Sequence, residues 1–254
     1  MVASFRGSSL GAFVATVLLM STNVAHADEV KVMAANAVKE PFVELVAAFE
    51  KSSGHKVTAV WSGTAGITKS ISGGELVDIV IVGAADIDKL IQAGKLVAGS
   101  RADFAKSGVG VAVRAGLPKP DISSAEAVKK AVLEAKSVAY SSGPSGLYIA
   151  ELFNRMGIAE QVKHKLKLPP SNVLVGDVLA RGEADLGFQQ ASDLLHVKGI
   201  VYIGPLPPEI QNITVYAAGL HAAAPAQEAA KALVKFLTAT EARAVIMKTG
   251  MDPG

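Results

Sequence analysis

The 254-residue chain contains no cysteine. That absence excludes disulfide staples, thiolate metal sites and a lipid anchor carried on a cysteine. Aromatic residues make up only 5% of the chain, with one Trp, and the formal net charge is only +2. A nucleic-acid surface needs a basic stripe and stacking aromatics, and neither is present. The densest basic cluster, Lys163, Lys165 and Lys167, reads as a solvated helix face. No apolar run after Ala27 is long enough to span a bilayer. His55, His164, His196 and His221 lack the H-E-x-x-H spacing of a metal site and read as surface or structural residues. The stretch "VWSGTAG" contains no G-x-S-x-G nucleophile elbow. Neither a metal nor an organic cofactor is therefore expected.

The amino terminus has the form of a secretory leader. Arg6 precedes a short apolar core from Leu10 to Met20, and Ala25-His26-Ala27 matches an A-x-A cleavage site. Cleavage after Ala27 would remove residues 1–27, and the loss of Arg6 would leave a formal charge of +1. The expectation is an exported, monomeric protein.

From Glu29 onward the chain alternates regularly between strand and helix signals. "EVKVMAAN" (29–36), "KVTAVWSG" (56–63) and the near-continuous apolar run "VDIVIVGA" (77–84) read as strands, the last one buried on both faces of a parallel sheet. Helices are expected over 40–54, where Pro41 falls in the first turn and Gly54 ends the pattern, over the short "AGITKSISGG" and over 86–96. Further strands are expected at 108–116, "SVAYSS" and 185–190. "SSAEAVKKAVLEA" (123–135) opens as a capping box, and one amphipathic helix closes the chain. Strands at 200–207 and 212–220 would return to the first sheet. The fold class is α/β in two lobes, one built from 28–108 and 203–254 and the other from 109–202. Ligands of such folds sit outside the carboxyl ends of the strands, between the lobes.

The residues at those strand ends define a chemistry. They are Asn36 and Ala37, Ser62 to Gly66, Gly83 and Ala84, Ser141 to Gly146, and Gly187 to Gln190. None is charged. "SSGPSGLY" (141–148) works as a turn, because Gly and Pro set its dihedrals and Ser can cap the next helix. A glycine-rich helix start is also an anion cradle with free N–H groups. Neutral donors suit a fully ionised oxyanion, since they avoid the desolvation cost of a buried counter-charge. Protonated phosphate would want an acceptor, and no Asp or Glu is found at these positions. A secreted hydrolase using Ser141, Ser142 or Ser145 is the competing enzyme reading, but no His or Asp neighbour can be assigned.

In order and spacing, "VKVMAANAVKEPFVELVAAFEKSSGHKV", "VWSGTAGITKSI", "VDIVIVGAADIDKLIQAGKL", "PSGLYIAEL", "VLARGEADLGF" and "ASDLL" resemble the periplasmic molybdate-binding proteins of ABC importers. The resemblance covers nearly all of 29–254. It implies a two-lobed type II solute-binding fold, a periplasmic location, no enzymatic activity, and a permease and ATPase as partners. The implied ligand is a small oxyanion such as molybdate or tungstate. Ligand contacts carry over to Ala37 with Asn36 beside it, to Thr64 with Ser62, to Ser145, and to the turn at Val175 and Gly176. Ala37 stands where the family has a serine, and Gln190 where it has a tyrosine, so that phenol is missing. The longer polar side chains Asn36, Gln189 and Gln190 also suit a small organic carboxylate.

Overall fold

The structure, a computed structural model, describes residue 1 and residues 27–254. Of the leader read at residues 1–27, residues 2–26 lie outside the described residues. Three β-α pairs open the fold: β1 (Glu29–Ala35) and α1 (Lys39–Ser53), β2 (Lys56–Ser62) and α2 (Thr64–Ser72), β3 (Ile79–Gly83) and α3 (Ala84–Gln92). A long β4 (Ala102–Arg114) comes next, then α4 (Ala125–Glu134), β5 (Val138–Tyr140), α5 (Pro144–Arg155), a short α6 (Ala159–Val162) and β6 (Leu166–Lys167). The chain continues through α7 (Val175–Ala180), β7 (Leu186–Gln190), α8 (Ala191–Leu194), β8 (Ile200–Pro205) and β9 (Ile213–Leu220). It ends with α9 (Gln227–Leu237), α10 (Arg243–Lys248) and β10 (Asp252–Pro253).

The strand order is β2-β1-β3-β9-β4-β7-β5-β6, with β8 and β10 also paired to β4. β1 runs parallel to β2 and β3, and β5 runs parallel to β6 and β7. This is the parallel pairing that right-handed β-α-β crossovers impose. β9 and β4 are antiparallel insertions between the two parallel halves. Residues 102–108 of β4 pair with β9, whereas residues 109–113 pair with β7. One strand therefore belongs to both halves.

Each half carries its own core. Phe42, Leu45 and Phe49 of α1 pack with Leu233 and Leu237 of α9 on one face of the first half. Ile67, Ile71 and Ile87 fill the other face. Phe153, Phe188, Ile149 and Val128 form the core of the second half. These apolar positions are the ones that recur at helical spacing in the sequence.

Three sequence expectations are corrected. The strand at 200–207 does not return to the first sheet: β8 pairs antiparallel with Gly110–Arg114, so the return is made by β9. The closing helix is broken into α9 and α10, with Ala239 extended between them. The basic cluster is no helix face either. It straddles a 3-10 turn and β6, and Lys165 Nζ donates to the carbonyls of Leu133 and Ala135 at 2.6 and 2.7 Å. That ammonium satisfies carbonyls freed at the end of α4.

Candidate functional site

The carboxyl ends of β1, β2, β5 and β7 point at one small cavity of about 30 Å³, enough for a water-sized group in this closed form. It is bounded by Asn36 and Ala37 after β1, Gly63 and Thr64 at the start of α2, and Ser141 to Ser145 at the start of α5. Pro170, Ser171 and Val173 from the loop before α7, Gln189, Gln190 and Asp193 around α8, and Tyr216 of β9 complete the wall. No Lys, Arg or His lines it.

Local sequence explains why the helix starts are open to a ligand. α2 is preceded by Gly63 and α5 by Gly143, and neither residue supplies a side-chain cap. In α4, by contrast, Ser124 Oγ accepts from the Ala127 N–H at 3.2 Å. The first N–H groups of α2 and α5 thus lack the usual side-chain acceptor and carry the positive end of the helix dipole. Pro144 at the first position of α5 costs nothing, because its missing N–H would have been unpaired there. Ser141 Oγ and Ser145 Oγ lie 3.0 Å apart, so two hydroxyls share this wall.

Of the residues singled out in the sequence, Asn36, Ala37, Thr64, Ser145 and Gln190 line the cavity. Ser62, Val175 and Gly176 do not. Ser62 lies just behind the wall, where a Cβ on Gly66 would come within 2.6 Å of its Oγ. The Val175 N–H is already used by Gln189 Oε1 at 2.7 Å, and Gly176 is packed against Val197. Gln190 borders the space with its amide already engaged. With both amide groups satisfied, its nitrogen donates to the Ser107 and Gly108 carbonyls at 2.9 and 3.2 Å, and its oxygen accepts from the Thr214 hydroxyl at 2.8 Å. Gln190 thus ties the end of β7 to β4 and β9. Trp61 packs edge-on against Phe42, with ring centroids 5.4 Å apart, and stays outside the cavity. Arg114 pairs with Asp185 at 3.3 Å within the second half.

The structure adds two titratable groups that a list of strand-end residues misses. Asp193 lies three residues beyond β7, in the first turn of α8. The residue keeps some exposure, but its Oδ1 is shielded from solvent and has no hydrogen-bond partner. Burial pushes this carboxyl up to about 7, and hydrogen bonding from Gln189 opposes the shift in part. Asp193 also borders a neighbouring cavity of about 390 Å³, whose wall carries Lys39, Glu40, Asp177, His196 and Lys198. Tyr216 is the second group. It is buried, and burial with the nearby Asp193 holds its phenol well above the usual tyrosine range. Asp193 sits inside the "ASDLL" segment; the signal was available, one helical turn past the place where it was sought.

Fold and cavity together define a two-lobed α/β binding protein of the periplasmic type. The chain matches the bacterial extracellular solute-binding protein family over residues 30–252, and it belongs to that family. It is 35% identical over 245 residues to an aconitate isomerase from a Pseudomonas species, covering 93% of each chain. It is also 31% identical over 175 residues to a molybdate-binding protein of Azotobacter vinelandii, covering 67% of this chain and 68% of that one. Among solved structures, the periplasmic molybdate-binding protein of A. vinelandii superposes with a TM-score of 0.75 at 20% identity, over 89% of this chain and 99% of that one. The chain is thus a divergent member of the molybdate-binding type. The expectation of a protein without enzymatic activity is corrected: a relative matching nearly the whole chain is an enzyme. The reasoning behind that expectation, that the site holds no titratable group, is overturned by Asp193.

Proposed function

We propose that this protein is an isomerase of a small unsaturated polycarboxylate, with aconitate as the substrate to test. The observation that carries this reading is the aconitate isomerase relative, which matches 93% of the chain. The site supplies a chemistry consistent with it. Aconitate is a propene tricarboxylate, and its cis and trans forms interconvert if an allylic proton moves from one end of the three-carbon unit to the other. A base takes a proton from the methylene carbon, and the C–H electron pair spreads over the allylic carbons and their carboxylates. Returning the proton at the far carbon shifts the double bond. Asp193 is the base in this reading, since a general base works best with a pKa near the working pH. The substrate carboxylates would be held by Asn36, Thr64, Ser145 and the N–H groups at the starts of α2 and α5.

A second reading is a receptor for molybdate or tungstate that serves an importer's permease and ATPase from the periplasm. It is favoured by the molybdate-binding relative and by the neutral donors. Asp193 does not separate the two readings, because its ionised form would repel a tetrahedral dianion and a tricarboxylate alike. The test is incubation with cis-aconitate in deuterated buffer, with proton NMR as the readout. The expected result is the trans isomer with wild type, and a loss of about 10²–10⁴-fold in rate for Asp193→Asn. Absence of turnover, with thermal stabilisation by molybdate and not by aconitate, would overturn the isomerase and select the receptor.

A further inference from the structure

We propose that Tyr216 is a catalytic residue of this site, its phenol donating a hydrogen bond to the substrate carboxylate on which negative charge gathers as Asp193 removes the proton. The proposal rests on the isomerase reading and names the group that would stabilise its intermediate.

Three observations place the phenol. Tyr216 sits inside β9, in register with Gly83 of β3 on one side and Ala105 of β4 on the other, so its backbone is held from both flanks. Its side chain is 2% exposed, yet it forms part of the same cavity wall as Asp193. The Gln190 side chain lies within hydrogen-bonding reach of its hydroxyl, and that oxygen is not among the buried polar atoms left without a partner. The aromatic ring alone would serve the surrounding core as well as Phe would. What Tyr adds is one O–H at the cavity wall.

A neutral donor also suits the electrostatics. A Lys or Arg here would pair with Asp193 and hold it as a weakly basic carboxylate. A phenol that stays protonated donates without neutralising the base, and Tyr216 is such a phenol. In the step itself, Asp193 carboxylate takes the methylene proton, and the C–H pair delocalises onto the adjoining carboxylate, where the Tyr216 hydrogen bond strengthens. The pair then closes a new bond to that same proton at the far allylic carbon. Asp193 ends as carboxylate, and Tyr216 keeps its proton throughout. Tyr216 comes from the first half of the sheet and Asp193 from the second, so the pair is complete only when the halves meet.

The experiment compares cis-aconitate turnover by wild type and Tyr216→Phe, with thermal unfolding as the check on folding. The expected result is a fall in kcat of about 10²–10³, the cost of removing one such donor, with KM little changed. A folded Tyr216→Phe with undiminished kcat beside an active wild type would overturn this proposal alone. An inert wild type overturns the isomerase reading and this proposal with it. Should Tyr216→Phe fail to fold, a ring-fluorinated tyrosine placed at 216 keeps the shape and makes the phenol a stronger donor. A kcat that responds to that change supports the role, and a kcat indifferent to it overturns it.

Discussion

Asp193 differs from every other side chain lining the cavity in carrying a carboxyl that its surroundings disfavour in the ionised form. Its stability consequence has a definite sign. The folded state holds the Asp193 proton up to about 7, whereas an ordinary aspartate releases it near 3.8. Between those values the native state binds more protons than the unfolded chain, so stability falls as pH rises through the window and is level above it. The charged and titratable groups around it are Tyr216 on the cavity side and Lys39, Glu40, Asp177, His196 and Lys198 around the adjoining cavity. Asp193→Asn removes the cost of burying the charge. Its Tm should exceed that of wild type above about pH 7, and the advantage should vanish toward 3.8. Thermal unfolding of both proteins across that range checks it; a difference independent of pH would mean that Asp193 titrates as an exposed carboxylate does. This residue also marks where sequence reading stopped. Thr64 and Ser145 were legible because small hydroxyl residues at helix starts have a mechanism attached. Asp193 was not, because a carboxyl in a short helix is usually solvated, and only the tertiary packing around it buries Oδ1.

At the scale of elements, strand and helix existence was legible throughout the first half, where buried strands read as apolar runs and helices as amphipathic stripes. Pairing partners were less so. β8 and β9 have similar apolar patterns, and nothing local distinguishes a strand that stays beside β4 at Val111 from one that pairs at Lys106. The amides at Val175 and Gly176 were misplaced for a comparable reason. They sit at a helix start like the others, but the Gln189 side chain reaches the Val175 N–H first. The loop before α5 was the opposite case, and the structure explains its second glycine. Gly146 faces the Ser141 carbonyl so closely that any Cβ would overlap it. The loop is thereby folded back onto the helix, and Ser141 Oγ is brought to Ser145 Oγ. Gly146→Ala should therefore push Ser141 away and separate the two hydroxyls. The expected loss is about 1–3 kcal/mol of stability, the usual cost of overpacking, measured by urea unfolding. A variant as stable as wild type would show that the loop yields at little cost.

At the scale of the molecule, the two halves touch on the rim of the cavity. The Gly63 N–H donates to the Ser171 carbonyl at 2.8 Å, joining the start of α2 to the loop before α7. A Cβ on Gly63 would overlap that same carbonyl, and one on Gly83 would come within 3.3 Å of Pro144 Cγ. Glycine at these two positions is thus what lets the halves approach. The strands that pass between them, β4 and β9, are held at the crossing by Gln190 through Ser107, Gly108 and Thr214. A cavity walled by residues of both halves fits a molecule that opens to admit its ligand and shuts over it. Gly63→Ala tests closure apart from chemistry, because Gly63 offers no side chain to the ligand and the substitution lies far from Asp193 in sequence. The methyl group should hold the halves apart and remove one cross-rim hydrogen bond, worth about 0.5–1.5 kcal/mol, or roughly a two- to tenfold weaker Kd for aconitate. Solution scattering should then find wild type contracting when aconitate is added while Gly63→Ala stays extended. If both proteins contract alike, the rim bond is a consequence of closure and plays no part in driving it.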